Sequence, residues 1–151
     1  MVQPRKWWKK YKFVIEIDGI ARAAFNKCSE LRANAETSSY REGGRANPHK
    51  SPGLVEFPPI TLERGKTDDY DLYEWFLTTF KAASGTGTVT PDLYRTFDIV
   101  QQDRDGNEVE RWTVYDAWCK EYGSGDWDND SSDVAIEQVV IELDHFERTK
   151  A

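Results

Sequence analysis

The sequence predicts a mainly β fold: a single-domain β-barrel or sandwich with one flanking α-helix. Three observations predict it. Several segments alternate apolar and polar residues with period two; only residues 67–83 keep a helical spacing; and no repeat or linker divides the 151-residue chain. A chain of this length buries roughly 70% of its unfolded surface, so its core needs no covalent staple. Only 38% of residues are hydrophobic, yet 13% are aromatic, including six Trp. That balance suits thin β layers whose aromatics fill the core or subunit contacts.

The first element is Tyr11–Asp18, where Phe13, Ile15 and Ile17 alternate with Lys12, Glu16 and Asp18. Asp18-Gly19 is a hairpin signal, and Ile20–Phe25 reads as its returning strand, with an exit turn over Asn26–Glu30. Leu31–Tyr40 reads as a strand with no greasy face, which suits water or a polar subunit contact. Gly43-Gly44 breaks it, Ala46–Pro52 is expected as loop, and His49 falls there. Val55–Leu62 resumes strand character around Pro58-Pro59, which confines that part to an edge or a bend.

Thr67–Ala83 is the expected helix, with Leu72, Trp75, Phe76, Thr79 and Ala83 on one face. Thr67 or Asp68 can cap it, Asp68, Asp69 and Asp71 suit its positive end, and Ser84-Gly85-Thr86-Gly87 ends it. Tyr94–Gln101 and Glu108–Trp118 flank the turn Asp105-Gly106-Asn107, and Val134–Phe146 reads as one last long strand ending near His145. The expectation is about seven strands and one helix.

The net charge of −7 argues against nucleic acid as the default partner, because phosphate contacts need Lys and Arg. The charge is uneven. Residues 1–12 hold Arg5, Lys6, Lys9, Lys10 and Lys12 without an acid, whereas residues 121–133 hold Glu121, Asp126, Asp128, Asp130 and Asp133 without a base. Ends of opposite sign can meet within or between subunits. Cys28 and Cys119 form no disulfide framework and suit a reducing compartment. The basic start lacks an apolar h-region, so a signal peptide is not expected. Nor does any apolar run reach the roughly 18 residues of a membrane span.

Chemistry is sparse. His49 and His145 are expected at the surface, with no motif tying them to Cys28 or Cys119. No phosphate loop is present, and no enzyme activity or cofactor is expected. Asp126, Asp128, Asp130 and Glu137 fill positions 1, 3, 5 and 12 of an EF-hand-like Ca²⁺ loop. Position 6 is Ser131 where the turn needs Gly, and the flanks are strand-like, so a solvated acidic loop is the simpler reading. Lys6-Trp7-Trp8-Lys9-Lys10-Tyr11 reads as an arm docking on a neighbouring subunit, against a membrane-surface or single-strand nucleic-acid patch.

The order of motifs is specific where each alone is weak. Phe13-Val14-Ile15-Glu16-Ile17-Asp18-Gly19 leads to Ala23-Ala24-Phe25 and Cys28-Ser29-Glu30-Leu31, then Tyr40-Arg41-Glu42-Gly43-Gly44 and Pro52-Gly53. Ile60-Thr61-Leu62-Glu63-Arg64-Gly65 and Asp71-Leu72-Tyr73-Glu74-Trp75 follow, then Trp112–Trp118 and Ile136–Phe146. Over residues 11–147 this resembles the tail-tube proteins of contractile phages and extracellular contractile injection systems. The Lys/Trp-rich start and the acidic loop depart from that pattern. The resemblance implies a fold like type VI secretion tube proteins. It also implies hexameric rings stacked into a hollow tube, with sheath, baseplate and tube-cap partners and protein cargo or DNA in the lumen.

It further implies assembly in the bacterial cytoplasm, as part of a virion or injection particle without a membrane anchor. A same-fold baseplate initiator or cap is the alternative, and a small-ligand or Ca²⁺-binding β module is the alternative of another class. The domain divides as an arm over 1–12, the β domain over 13–148 and a tail over 149–151. The expected subunit interface is Trp7, Trp8, Tyr40, Arg41, Glu42, Gly43, Gly44, Arg64 and Gly65.

Overall fold

Ten elements follow one another in a computed structural model that describes residues 7–18, 25–41, 43–44, 46–84 and 93–149. They are β1 (Phe13–Glu16), β2 (Phe25–Cys28), β3 (Asn34–Tyr40), β4 (His49–Glu56), β5 (Ile60–Gly65), α1 (Asp71–Ala83), β6 (Arg95–Gln102), β7 (Glu108–Gly123), β8 (Ile136–Glu142) and β9 (His145–Thr149). The fold is mainly β with one helix, as the alternation predicts. Every strand pairing is antiparallel.

The main sheet runs β1-β6-β7-β8-β5-β2, and β9 also pairs with β7; β3 and β4 form a separate ribbon. β7 is the organising strand. Its first half pairs with β9 (Tyr115 opposite His145), and its second half pairs with β8 (Trp118 opposite Glu142). Between the halves Asp116 takes φ of 50°, a left-handed conformation that turns the strand. The sheet therefore folds over on itself, and one apolar cluster joins both parts: Ile15, Phe97 and Val114 meet Ile60, Leu62, Val139 and Ile141. α1 closes this core with Leu72 and Trp75, both fully buried, and the Trp75 indole donates to the Leu93 carbonyl at 3.1 Å.

Several boundaries differ from the sequence expectation, each for a local reason. The last long strand is two strands, β8 and β9, split at Leu143-Asp144, because their partner β7 bends opposite them; the Asp144 amide there donates to Tyr115. β7 also continues past Trp118 to Gly123. The helix begins at Asp71, not Thr67, with Tyr70 as its N-cap residue and no side-chain cap. The chain is still held extended at Lys66, whose amide bonds Ala135, and Thr67 instead accepts the Asp69 amide.

Pro58-Pro59 separates two strands rather than marking an edge. Val55 belongs to β4, while β5 is an interior strand between β8 and β2. Residues 49–52, expected as loop, are strand, as are Asn26–Cys28, expected as turn. The hairpin turn at Gly19, the returning segment 20–24, Gly85-Thr86-Gly87 and the chain ends 1–6 and 150–151 lie outside the described residues. In the part described, β1 pairs with β6 and β2 with β5, so the path is open rather than a closed barrel.

Asp116 supplies a test of the bend. Asp tolerates the left-handed region better than most residues, Gly adopts it freely, and a β-branched residue resists it. Asp116→Gly is expected to leave the denaturation midpoint unchanged or higher, whereas Asp116→Val costs about 1–2 kcal/mol. Equal stability of the two variants in urea melts would show that the bend does not rest on this residue.

Candidate subunit-contact surfaces

The β3–β4 ribbon is the most unusual surface. All of its residues are exposed on both strands, including Tyr40, Leu54 and Val55. Tyr40 stands opposite His49 and Ala35 opposite Val55, so the register is defined although neither face is covered. Gly44, at φ of 84°, turns the tip. A two-stranded ribbon wet on both faces is marginal in water and gains stability from a surface laid against it. Of the expected interface residues, Tyr40 ends β3 and Arg41, Gly43 and Gly44 follow it towards the tip; Glu42 lies outside the described residues.

Arg64 and Gly65 do not join them. Arg64 is 1% exposed, on the core face of β5 opposite Glu137 of β8. Its Nε donates to Glu137 Oε1 at 2.5 Å, and its Nη2 donates to Asp71 at the start of α1. Tyr122 of β7 donates its hydroxyl to the other Glu137 oxygen at 2.6 Å. Arg64 is therefore a strut of the monomer, and its buried side chain offers a neighbour almost no surface. Burial works against its charge, but the bonds to Asp71 and Glu137 outweigh that and raise its pKa. The same surroundings push the Tyr122 phenol up to about 12, chiefly by burial and then by its bond to Glu137. Gly65 ends β5 opposite Ile136.

Trp7 and Trp8 lie against the β6–β7 turn. With Lys9, Tyr11, Gln102, Asp103, Arg104, Asp105 and Val109 they line a groove of about 400 Å³. Local bonds shape it: Arg104 Nε donates to the Tyr11 hydroxyl at 3.1 Å, Lys12 Nζ to the Arg104 carbonyl at 2.6 Å, and Arg148 packs over the Trp8 ring at 5.6 Å. The Asp103 carboxylate is occupied by the Asp105 and Asn107 amides, both at 2.9 Å.

The acidic loop after β7 is built on Gly125, at φ of 78°, where a Cβ would meet the Ile136 carbonyl oxygen at 2.3 Å. Trp127 is 78% exposed, and Lys66 Nζ sits 4.5 Å from its ring centre. Glu63, Asp126, Asp128, Asp133, Trp127 and Val134 border an open cavity of about 770 Å³. The four Ca²⁺ candidates do not converge. Glu137 is taken up by Arg64 and Tyr122, Asp128 accepts the Asp130 amide, and no group of three His, Cys, Asp or Glu among the described residues is placed to hold a metal.

The sequence reading missed two groups. Arg111 bonds Glu108, Asp98 and Glu16 across three strands, on the sheet face opposite the core. Only the short Glu108-to-Arg111 spacing hinted at it. The meeting of Arg104 with Tyr11 of the arm was the other, because it depends on β1 pairing beside β6. Neither thiol is an activated nucleophile: burial pushes Cys28 up to about 11 and Cys119 up to about 12. His145 begins β9 rather than ending the last strand, stacking on Tyr115 with ring centres 4.5 Å apart, and His49 stands in the ribbon. No described helix is long and apolar enough to cross a membrane.

The family described as T4-like virus tail tube protein gp19 matches residues 9–147. Among solved structures, the chain is similar to one in the anti-feeding prophage tube-terminating cap, with 23% identity, TM-score 0.84, and coverage of 100% of this chain and 96% of that one. It is similar to a chain of the PVC extracellular contractile injection system sheath-tube complex in the extended state (22%, TM-score 0.78, 95% and 92% covered). Hcp1 from Flavobacterium johnsoniae shares the fold more distantly (16%, TM-score 0.61, 92% and 95% covered). No curated protein matches the chain by sequence.

Two outcomes check the buried cluster. Arg64→Ala leaves the Glu137 carboxylate buried without its cation and is expected to cost about 3–5 kcal/mol in urea melts. Arg64→Ala within about 1 kcal/mol of wild type would contradict the strut role. The Tyr122 phenol titrates near 10 when unfolded and about 12 when folded, so its contribution is full below pH 10 and is lost as pH rises toward 12. Tyr122→Phe is expected to flatten the fall of stability over that window; an unchanged slope would refute it.

Proposed function

The chain belongs to the T4-like tail tube protein family, and from that membership we propose that it is an inner-tube subunit of a contractile tail or injection particle. In this reading six copies close a ring, rings stack head to tail into a hollow tube, and a contracting sheath drives the tube through a target envelope. The partners are the subunit itself, the sheath, the baseplate and the cap. The lumen carries protein cargo or DNA, and the tube is built in the bacterial cytoplasm.

The observation that carries the reading is the uncovered ribbon. β3 and β4 expose every residue, yet they keep a defined register and hold Tyr40, Leu54 and Val55 ready for a neighbour. A neighbouring subunit provides what the monomer withholds. The proposed interface set is Trp7, Trp8, Tyr40, Arg41, Glu42, Gly43 and Gly44, now without Arg64 and its neighbour Gly65. The Arg111 face, with Glu16, Asp98 and Glu108 around one cation, supports a lumen lined by polar and acidic groups that does not retain DNA or acidic cargo.

A tube-initiating or tube-capping subunit is the second reading, favoured by the similar chain in the anti-feeding prophage cap. Negative-stain microscopy of the purified full chain separates the two. Long tubes support the first reading, isolated rings the second, and monomers alone at high concentration overturn both. In tubes, a reconstruction that puts Arg111 away from the lumen would reject the lining assignment.

The ribbon has its own test. Replacing Ser39–Lys50 with two glycines joins Ser38 directly to its cross-strand partner Ser51. The shortened chain is expected to melt within a few degrees of wild type and to form no tubes. Normal tubes from it would remove the ribbon from assembly.

A further inference from the structure

β7 carries two unlike surfaces at its two ends. Its first residue, Glu108, follows the turn that walls the groove of Trp7, Trp8, Tyr11 and Arg104. Its last residue, Gly123, leads into the acidic loop that displays Trp127. β7 runs sixteen residues from Glu108 to Gly123, a contour of about 50 Å that bends at Asp116. No residue that lines the groove also lines the cavity beside the loop, and two copies placed end to end can bring the two surfaces together.

Resting on the tube reading, the geometry points to a specific contact between stacked copies: the Asp126-Trp127-Asp128 knob of one subunit seats in the cationic aromatic groove of the next. The chemistry matches on both counts. The knob offers one large indole, 78% exposed, flanked by two carboxylates. The groove offers Trp7, Trp8 and Tyr11, all exposed, beside Lys9 and Arg104, and its volume of about 400 Å³ accommodates an indole side chain. Lys10 and Lys12 add cations from the same arm, and of the groove's two carboxylates Asp103 is already engaged by its own turn.

Aromatic anchors framed by charge pairs are the composition of interface hot spots. The contact joins two different patches, so it repeats without closing and extends a filament, whereas the ring closes through other surfaces. The occupant is a second copy of this chain. A polymer lipid surface or nucleic acid would use the groove's cations but leave the acidic knob without a role.

Charge exchange in the full chain tests the contact. Asp126→Lys with Asp128→Lys, or Lys9→Glu with Arg104→Glu, is expected to raise the protein concentration needed for tubes about tenfold or more while single rings persist. All four changes in one chain place a basic knob against an acidic groove and are expected to restore tubes. Wild-type tubes are expected to shorten between about 0.1 M and 1 M salt.

As a second measurement, carbodiimide coupling of wild-type tubes is expected to give a ladder of chains linked through amides between Asp126 or Asp128 of one copy and Lys9 or Lys10 of the next. Wild-type protein that forms no tubes overturns the tube reading itself. Wild-type tubes together with unaffected stacking in both double variants, or a four-fold variant that folds but does not stack, or tubes without the ladder, overturn this contact and leave the tube reading standing.

Discussion

The buried Arg64 guanidinium is the constraint on which the architecture turns. An arginine in the core face of a strand is tolerable only if its charge is met by carboxylates, and here one donor, Nη1, is buried without a hydrogen-bond partner. Glu137 on β8 and Asp71 on α1 meet the charge, and Tyr122 on β7 secures the far oxygen of Glu137. Four elements are thereby tied at one point. A shift of β5 against β8 by one residue would take Arg64 from Glu137 to Ile136 or Gln138, neither of which carries a charge, and turn Ile60 and Leu62 to water. The cluster fixes register where the apolar pairs Ile60–Ile141 and Leu62–Val139 alone would also accept a two-residue slip. It also fixes where the helix begins, because Asp71 must reach Arg64, and so which loops emerge at that end of the molecule.

The ribbon is governed by the opposite logic. The monomer spends no apolar area on it: the core cluster contains no residue of β3 or β4. Its stability is therefore low within one subunit and rises when a second surface covers it, which is how an element can be ordered by assembly rather than by folding. Coupling assembly to such a ribbon has a kinetic consequence. In the proposed assembly the β5–β8–α1 core, which uses no ribbon residue, folds within one subunit before the ribbon is covered.

How much of this was legible in the sequence follows from which signals are local. Alternation showed β1, β6 and the start of β7 because their partners do not alter which side faces the core. Ile60, Leu62 and Arg64 share one face of β5, and that period-two spacing was a sign, not read from the sequence, that Arg64 is interior. The split between β8 and β9 was not legible because no residue in Val134–Phe146 breaks a strand. The break is imposed from outside, by the bend of β7 at Asp116, and a bend at a non-glycine residue leaves little trace in composition. The ribbon was half legible: its polar strand β3 was readable, but β4 contains Pro52 and Gly53, which suggest loop unless an exposed edge is granted. The groove of Trp7 and Trp8 was legible in its residues and not in its far wall, because Arg104 arrives there only through the β1–β6 pairing.

Charge then decides how copies can meet. Each subunit carries net charge −7, so unselective association is opposed at low salt. A two-fold contact through the acidic loop would set Asp126, Asp128, Asp130 and Asp133 against their own copies, and a two-fold contact through the arm would set Lys9, Lys10 and Lys12 against theirs. Like charges held face to face are penalised in both cases. Only a directional arrangement, loop to arm, turns the same residues into attraction. The uneven charge along the chain therefore disfavours both two-fold contacts, and the proposed stacked polymer would need that as well as the attraction.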